Sequence, residues 1–214
     1  PGIAALEREQ MLIGNPNARM ILFELSSGYG VRSFLPADCD GPFPAPGTPG
    51  YFCVFNDDNA GFSSDALEVW AFHADWQNTA NSSFSKINTL PVAAFNSIFS
   101  QWRGAIKQPN PQALDQLSDR LLQRVQFRKF SGYDAMVMSH TVNTGSDVAG
   151  VRWYELRNSG SGWQVHQQST FAPDSNSRWM GSIAMNGFGD IALGYTVSGV
   201  GTYPSMRVTG RLSS

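Results

Sequence analysis

The sequence predicts an all-β protein, and three observations carry the prediction. Short apolar and aromatic runs follow one another along the whole chain, punctuated by Gly, Asn, Asp, Ser and Pro. Several runs alternate with period two, the spacing of a strand. Between them stand residues suited to the positive φ angles of tight turns.

Twelve strand candidates span 19–25, 31–35, 51–56, 67–74, 84–90, 121–130, 134–142, 151–157, 162–170, 179–185, 190–197 and 203–211. The first places an aromatic near its centre, Met20-Ile21-Leu22-Phe23-Glu24-Leu25, and the second follows Gly28-Tyr29-Gly30, which reads as a turn. A Pro- and Gly-rich loop over 41–50 precedes the third. In the fourth, Leu67, Val69, Ala71 and His73 fall on one face and Glu68, Trp70 and Phe72 on the other. Both faces are largely apolar, so this strand is expected to lie between layers. The run 84–90 closes this first set.

The stretch 93–119 resists the scheme. Phe95, Ile98, Phe99 and Trp102, and then Leu114, Leu117, Leu121, Leu122 and Val125, recur at helical spacing. We therefore expect a short helical insertion within 93–119, with helical turns over 93–102 and 111–119. Val125-Gln126-Phe127-Arg128 returns to strand alternation. The runs 134–142 and 151–157 follow, the latter apolar on both faces. Asn158-Ser159-Gly160-Ser161-Gly162 then supplies a hairpin turn into 162–170, and Asn186-Gly187-Phe188-Gly189 another between 179–185 and 190–197. The run 203–211 ends the series. The strands cluster in threes and fours at intervals of roughly 45 to 60 residues, the rhythm of propeller blades. This predicts a single propeller-like region of antiparallel blades over 1–214, about three in number, at 19–92, 120–172 and 178–211. Three blades do not close a ring, since the smallest propellers have about four. Another chain or missing segment is expected to complete it, with Pro1 as a processing point.

Composition bounds the function. Only 15% of residues are charged, against roughly 25% in typical soluble domains. The formal net charge is −2 and no basic run occurs, which disfavours a nucleic-acid partner. No apolar stretch approaches the ~20 residues of a membrane span. Polarity is carried by Ser, Thr, Asn, Gln and Gly, as in extracellular β proteins. Cys39 and Cys53, the sole cysteines, flank the 41–50 loop. A disulfide between them would fit a secreted, extracellular or periplasmic location and contribute roughly 3 kcal/mol; two reduced thiols are the competing reading.

Candidate chemistry is sparse. Asp38, Asp40, Asp57 and Asp58 flank the cysteines and offer hard oxygen ligands for structural calcium, or cap turns. Glu68, Glu155 and Asp174 are the weak candidates for a glycosidase carboxylate pair, which needs a separation of roughly 5 to 9 Å. Trp70, Trp153 and Trp179 can stack on the sugar rings of a polysaccharide or fill the core. Arg120, Arg124, Arg128, Arg178 and Arg207 are either ion-paired or available to an anion, and His73, His140 and His166 read as structural. No P-loop, nucleotide fingerprint or nucleophile elbow occurs, and no cofactor is expected beyond calcium.

The stretch Gly150-Val151-Arg152-Trp153-Tyr154-Glu155-Leu156-Arg157 continues through Gln167-Gln168-Ser169-Thr170-Phe171-Ala172-Pro173-Asp174 and Arg178-Trp179-Met180-Gly181. With Gly189-Asp190-Ile191-Ala192-Leu193-Gly194-Tyr195 and Tyr203-Pro204-Ser205-Met206-Arg207, it resembles the C-terminal portion of uncharacterised bacterial secreted proteins predicted to be β-propellers. Gly47-Thr48-Pro49-Gly50-Tyr51-Phe52 and Leu114-Asp115-Gln116-Leu117 extend the resemblance over most of the chain. It implies a propeller fold and no particular activity. The expectation is a secreted propeller-type binding or interaction module. The alternatives are a carbohydrate-active enzyme and a structural subunit of a larger extracellular assembly.

Overall fold

A computed structural model describes residues 1–26 and 33–213. About half the chain is strand, which makes the protein all-β. Thirteen strands are seen among the described residues: β1 (Gly2–Leu6), β2 (Met20–Glu24), β3 (Leu35–Asp40), β4 (Gly50–Asn56), β5 (Ala66–His73), β6 (Ser83–Pro91), β7 (Leu121–Lys129), β8 (Asp134–Asn143), β9 (Ala149–Asn158), β10 (Gln164–Phe171), β11 (Ser177–Met185), β12 (Ile191–Gly199) and β13 (Thr202–Arg211). One short helix, α1 (Arg8–Leu12), joins β1 to β2. Eleven of the twelve expected strands lie where the sequence places them. The run 31–35 and the Gly28-Tyr29-Gly30 turn fall largely or wholly outside the described residues, and β3 begins only at Leu35.

The strands form a hairpin β1-β2, a curled eight-stranded sheet ordered β10-β9-β8-β7-β3-β4-β5-β6, and a three-stranded meander β11-β12-β13. The 120–172 group is thus one four-stranded meander, and the 178–211 group is one three-stranded meander. The 19–92 group divides, β2 pairing with β1 while β4, β5 and β6 enter the large sheet. Two groups expected as separate blades share one sheet, because β3 changes neighbours along its length. Leu35 and Pro36 pair antiparallel with Cys53 and Phe52 of β4. Ala37 to Asp40 then pair in parallel with Val125 to Arg128 of β7.

The curl brings two inner faces together. Tyr51, Cys53, Phe55, Leu67 and Val69 from one half pack with Phe127, Met136, Met138, Tyr154 and Leu156 from the other, and Trp163 closes the core. The outer faces are covered as well. Phe52, Phe72 and Phe84 meet Ile3, Ile21 and Phe23 of the β1-β2 hairpin. Ala135, Val137, Val151 and Trp153 meet Ile183, Met185, Leu193 and Tyr195 of the β11-β13 sheet. The result is four stacked β layers, so β5 and β9 are apolar on both faces for the reason their alternation suggests, and β8 is covered on both faces as well.

Residues 92–120 form no helix. The helical spacing is overridden by side chains that cap turns instead. Asn96 accepts from the Ile98 amide (2.7 Å), Asn110 from Gln112 (2.7 Å) and Asp115 from Leu117 (3.0 Å). The apolar residues of the segment anchor separate places: Phe95 enters the main core, whereas Phe99 and Ile106 pack with Trp179.

Gly181 sets the spacing between layers. A Cβ there would lie 2.7 Å from Val151 Cγ1 and 3.0 Å from Ser139 Oγ. Gly181→Ala is expected to destabilise the protein by about 1–3 kcal/mol through overpacking, measured as a lower midpoint in urea unfolding.

Candidate functional site

The acidic residues flanking the cysteines do not converge. Asp38 and Asp40 both pair with Arg124, and Gln126 donates to Asp40 at 2.5 Å. Those bonds hold the Asp40 carboxyl below the usual range, the Arg124 bond contributing most. Asp57 and Asp58 instead gather with Asp65, a residue the sequence reading did not single out, their oxygens within 4.8 Å of one another. The two buried members act as loop anchors. Asp57 accepts from the Asn59 amide (2.8 Å) and from Ser97 N (2.6 Å) and Oγ (2.5 Å). Asp65 accepts from the amides of Asp58 (3.0 Å) and Phe95 (2.8 Å).

The expected Cys39–Cys53 disulfide is absent, and both thiols are free. The register explains this. Cys53 lies opposite Leu35, and Cys39 is four residues further along β3. At ~3.3 Å per residue that is roughly 13 Å along the strand, whereas a disulfide needs Cα atoms closer than about 7 Å. Both side chains face the same apolar core. Burial raises the Cys39 thiol above its ordinary pKa and pushes Cys53 up to about 12, which suits unreactive packing residues.

Each of the three candidate catalytic carboxylates is held by hydrogen-bond donors. Glu68, on β5, accepts from Trp70 Nε1 (3.0 Å), Asn56 (3.2 Å) and Lys86 (3.4 Å). Glu155, on β9, is completely buried and receives Arg157 (2.6 Å), Arg211 (3.0 Å) and Gln167. Asp174, in the β10-β11 connection, is clamped by Arg178 through two bonds of 2.8 Å, which hold its carboxyl far below the usual range. They lie on different elements: Glu68 on β5, Glu155 on β9 and Asp174 in the β10-β11 connection. Among the expected sugar platforms, Trp70 is buried against Phe84 and Phe34, and Trp179 is buried with Phe99 and Ile106. Trp153 packs between β9 and the last sheet. Of the six tryptophans, Trp102 is the exposed one. Arg120, Arg124 and Arg178 are ion-paired, and Arg128 donates to the Met185 carbonyl (3.0 Å).

The features left open to a partner are the outer faces of the two end layers. On the last sheet the outward residues register as Ala184–Ala192–Gly210 and Ser182–Gly194–Val208, with Thr196–Met206 beside them. None is charged, most are small, and Met206 and Val208 stand 89% and 72% exposed. At the other end, Ala4–Leu22 and Leu6–Met20 face outward, and Glu24 opposite Gly2 is the single charge. A solvated sheet face normally carries polar or charged residues at these positions. Sequence reading missed these faces because their residues are individually bland. The outward alternation of 182, 184, 192, 194, 208 and 210 was the available signal.

Comparison with protein-family models, with curated proteins and with solved structures finds no match for the chain.

His140 sits at the centre of the buried polar structure. It is fully buried, stacks on Phe55 (4.4 Å) and lies 2.9 Å from the Tyr154 hydroxyl. Its Nδ1 is 3.3 Å from the Thr141 carbonyl, so Nδ1 carries the proton and Nε2 accepts from Tyr154. Burial drives its pKa down to about 3, with the Thr141 bond opposing and nearby Arg152 assisting. The unfolded chain takes up a proton near pH 6.5 that the native state refuses, so the stability held above that pH is lost as pH falls. The expected loss is about 1.4 kcal/mol per pH unit between roughly 6.5 and 4.5. Urea unfolding across this window checks the slope, which His140→Gln should flatten.

Proposed function

We propose that the chain is a binding or interaction module whose end layers are seats for further β-structure supplied by another polypeptide, in the manner of neighbouring propeller blades. One observation carries the reading: the outer face of the β11-β13 sheet is built from small, uncharged residues in register. Small side chains let a second sheet approach closely, and its burial desolvates no charge. Among the described residues, edge strand β13 is paired on one side only, to β12. It adds an open row of backbone groups that a partner strand can use.

Because both end layers are open in this way, copies can also stack head to tail, the last sheet of one against the hairpin of the next. Such contacts do not close on themselves and build an extended array, which is the structural-subunit reading. An extracellular setting is supported by the low charge and the Ser-, Thr- and Asn-based polarity, without the disulfide.

Sedimentation velocity tests the proposal. The wild-type chain is expected to associate with rising concentration, and Val208→Lys together with Ala192→Glu to keep it monomeric with an unchanged melting temperature. A wild-type chain that stays monomeric at all concentrations, with no effect of the charges, overturns the use of these faces for stacking copies.

A further inference from the structure

A pocket of about 330 Å³ opens where the β7-β8 and β9-β10 turns come together, lined by Tyr133, Arg157, Ser159, Ser161, Gln164 and His166 among others. This is within the size range of small-ligand sites, roughly 300 to 1,000 Å³. None of its lining residues is acidic.

Its one permanent cation is held rigidly from two directions. Phe130 stacks on Tyr133 with centroids 4.9 Å apart and planes 14° from parallel. The Arg157 guanidinium lies 4.4 Å from the Tyr133 ring centre, extending the stack. In the plane of the guanidinium, Nε donates to buried Glu155 at 2.6 Å. These contacts fix the fork before any ligand arrives and leave both Nη groups without an acceptor among the described residues. A guanidinium so placed presents two parallel N–H donors to a planar oxyanion.

The carboxylate that holds Arg157 also holds a second arginine. Glu155 receives both Arg157 and Arg211, so this buried group carries two cations for one carboxylate. Asp190 lies close enough to Arg211 to feel its charge, whereas Arg157 keeps its Nη donors for a further anion. His166 occupies the break in the β9-β10 ladder between Val165 and Gln167, and it stands exposed at the pocket. Ser159, Ser161 and Gln164 add neutral hydrogen-bonding groups, the complement of a hydroxylated ligand.

We propose that this pocket binds a carboxylate-bearing ligand of sugar-acid size, its carboxylate on the Nη groups of Arg157 and its hydroxyls on the Ser159, Ser161 and Gln164 side. In this assignment Glu155 is a positioning residue that orients Arg157, and no bond is made or broken. The site is independent of the end faces, and the two readings stand or fall separately.

Heteronuclear NMR titration with D-glucuronate is the test, with D-glucose and inorganic sulfate as the comparison arms. Glucuronate is expected to shift the amides of residues 133 and 157–166 with a dissociation constant of roughly 1 mM or tighter. Glucose should shift none of them. Arg157→Gln should weaken binding at least roughly ten-fold. Because that substitution disturbs a buried ion pair, His166→Ala and Ser161→Ala, both at exposed positions, provide a second measurement and should each weaken binding without moving the melting temperature. Equal binding of glucose, or shifts outside this pocket, overturns the proposal. Sulfate binding as tight as glucuronate replaces a carboxylate site by a general oxyanion site and overturns it too.

Discussion

Strand β3 gives its first two residues to β4 and its last four to β7, and through that division two antiparallel meanders become one curled sheet. Without it, β4-β6 and β7-β10 would be two sheets whose inner faces had no fixed relation. With it, Tyr51 stacks on Phe127 at 5.8 Å and both meet Trp163, so the core is assembled across the fold of the sheet. The outward side of β3 would carry two adjacent negative charges on a strand. Arg124 of β7 pairs with both, which ties the parallel pairing to a specific ion cluster. Gln126, two residues further on, is bonded both ways to the Met185 backbone, so β7 also fixes where the last sheet lies.

Much of this architecture was legible because layers leave a mark on alternation. A strand covered on both faces, such as Leu67-Glu68-Val69-Trp70-Ala71-Phe72, is apolar at odd and even positions alike. Its only ionisable group, Glu68, is held by Trp70, Asn56 and Lys86. Strand β3 was not legible for the opposite reason. Leu35-Pro36-Ala37-Asp38-Cys39-Asp40 contains a proline and two aspartates, all unfavourable in a strand, and the distant Arg124 and Gln126 hold the two carboxylates. The segment 92–120 misled for a third reason. Its apolar residues recur at helical spacing, yet Phe95 joins the main core, Phe99, Ile106 and Leu114 join the Trp179 cluster and Ile98 and Trp102 stay exposed, while Asn96, Asn110 and Asp115 satisfy backbone amides locally.

The site was less legible than the fold because function here depends on what neighbouring strands place side by side. Ala184, Ala192 and Gly210 are unremarkable singly; only the register of β11, β12 and β13 makes them one flat, uncharged row. The same holds for the cysteines, whose spacing suits a disulfide while the register of β3 against β4 keeps them apart. Four aspartates near them looked like one cation site. The fold gives two to an arginine and recruits Asp65 to the others, turning them into the posts that hold the long 92–120 segment.

Glu155 shows how a single buried charge can organise a surface without taking part in chemistry. A lone carboxylate in that position would cost several kcal/mol, and one arginine would neutralise it. Two arginines do so here, from different elements, and they serve different ends. Arg211 belongs to β13, so its bond to Glu155 draws the edge strand of the end layer against β9. Arg157 is held by the same carboxylate over Tyr133, with its remaining donors directed at the pocket. Replacing Glu155 by an apolar residue would satisfy the packing but would release both. The Arg157 fork is therefore held by the same carboxylate that joins the last layer to the sheet beneath it, beside a pocket where the turns leave room for an anion.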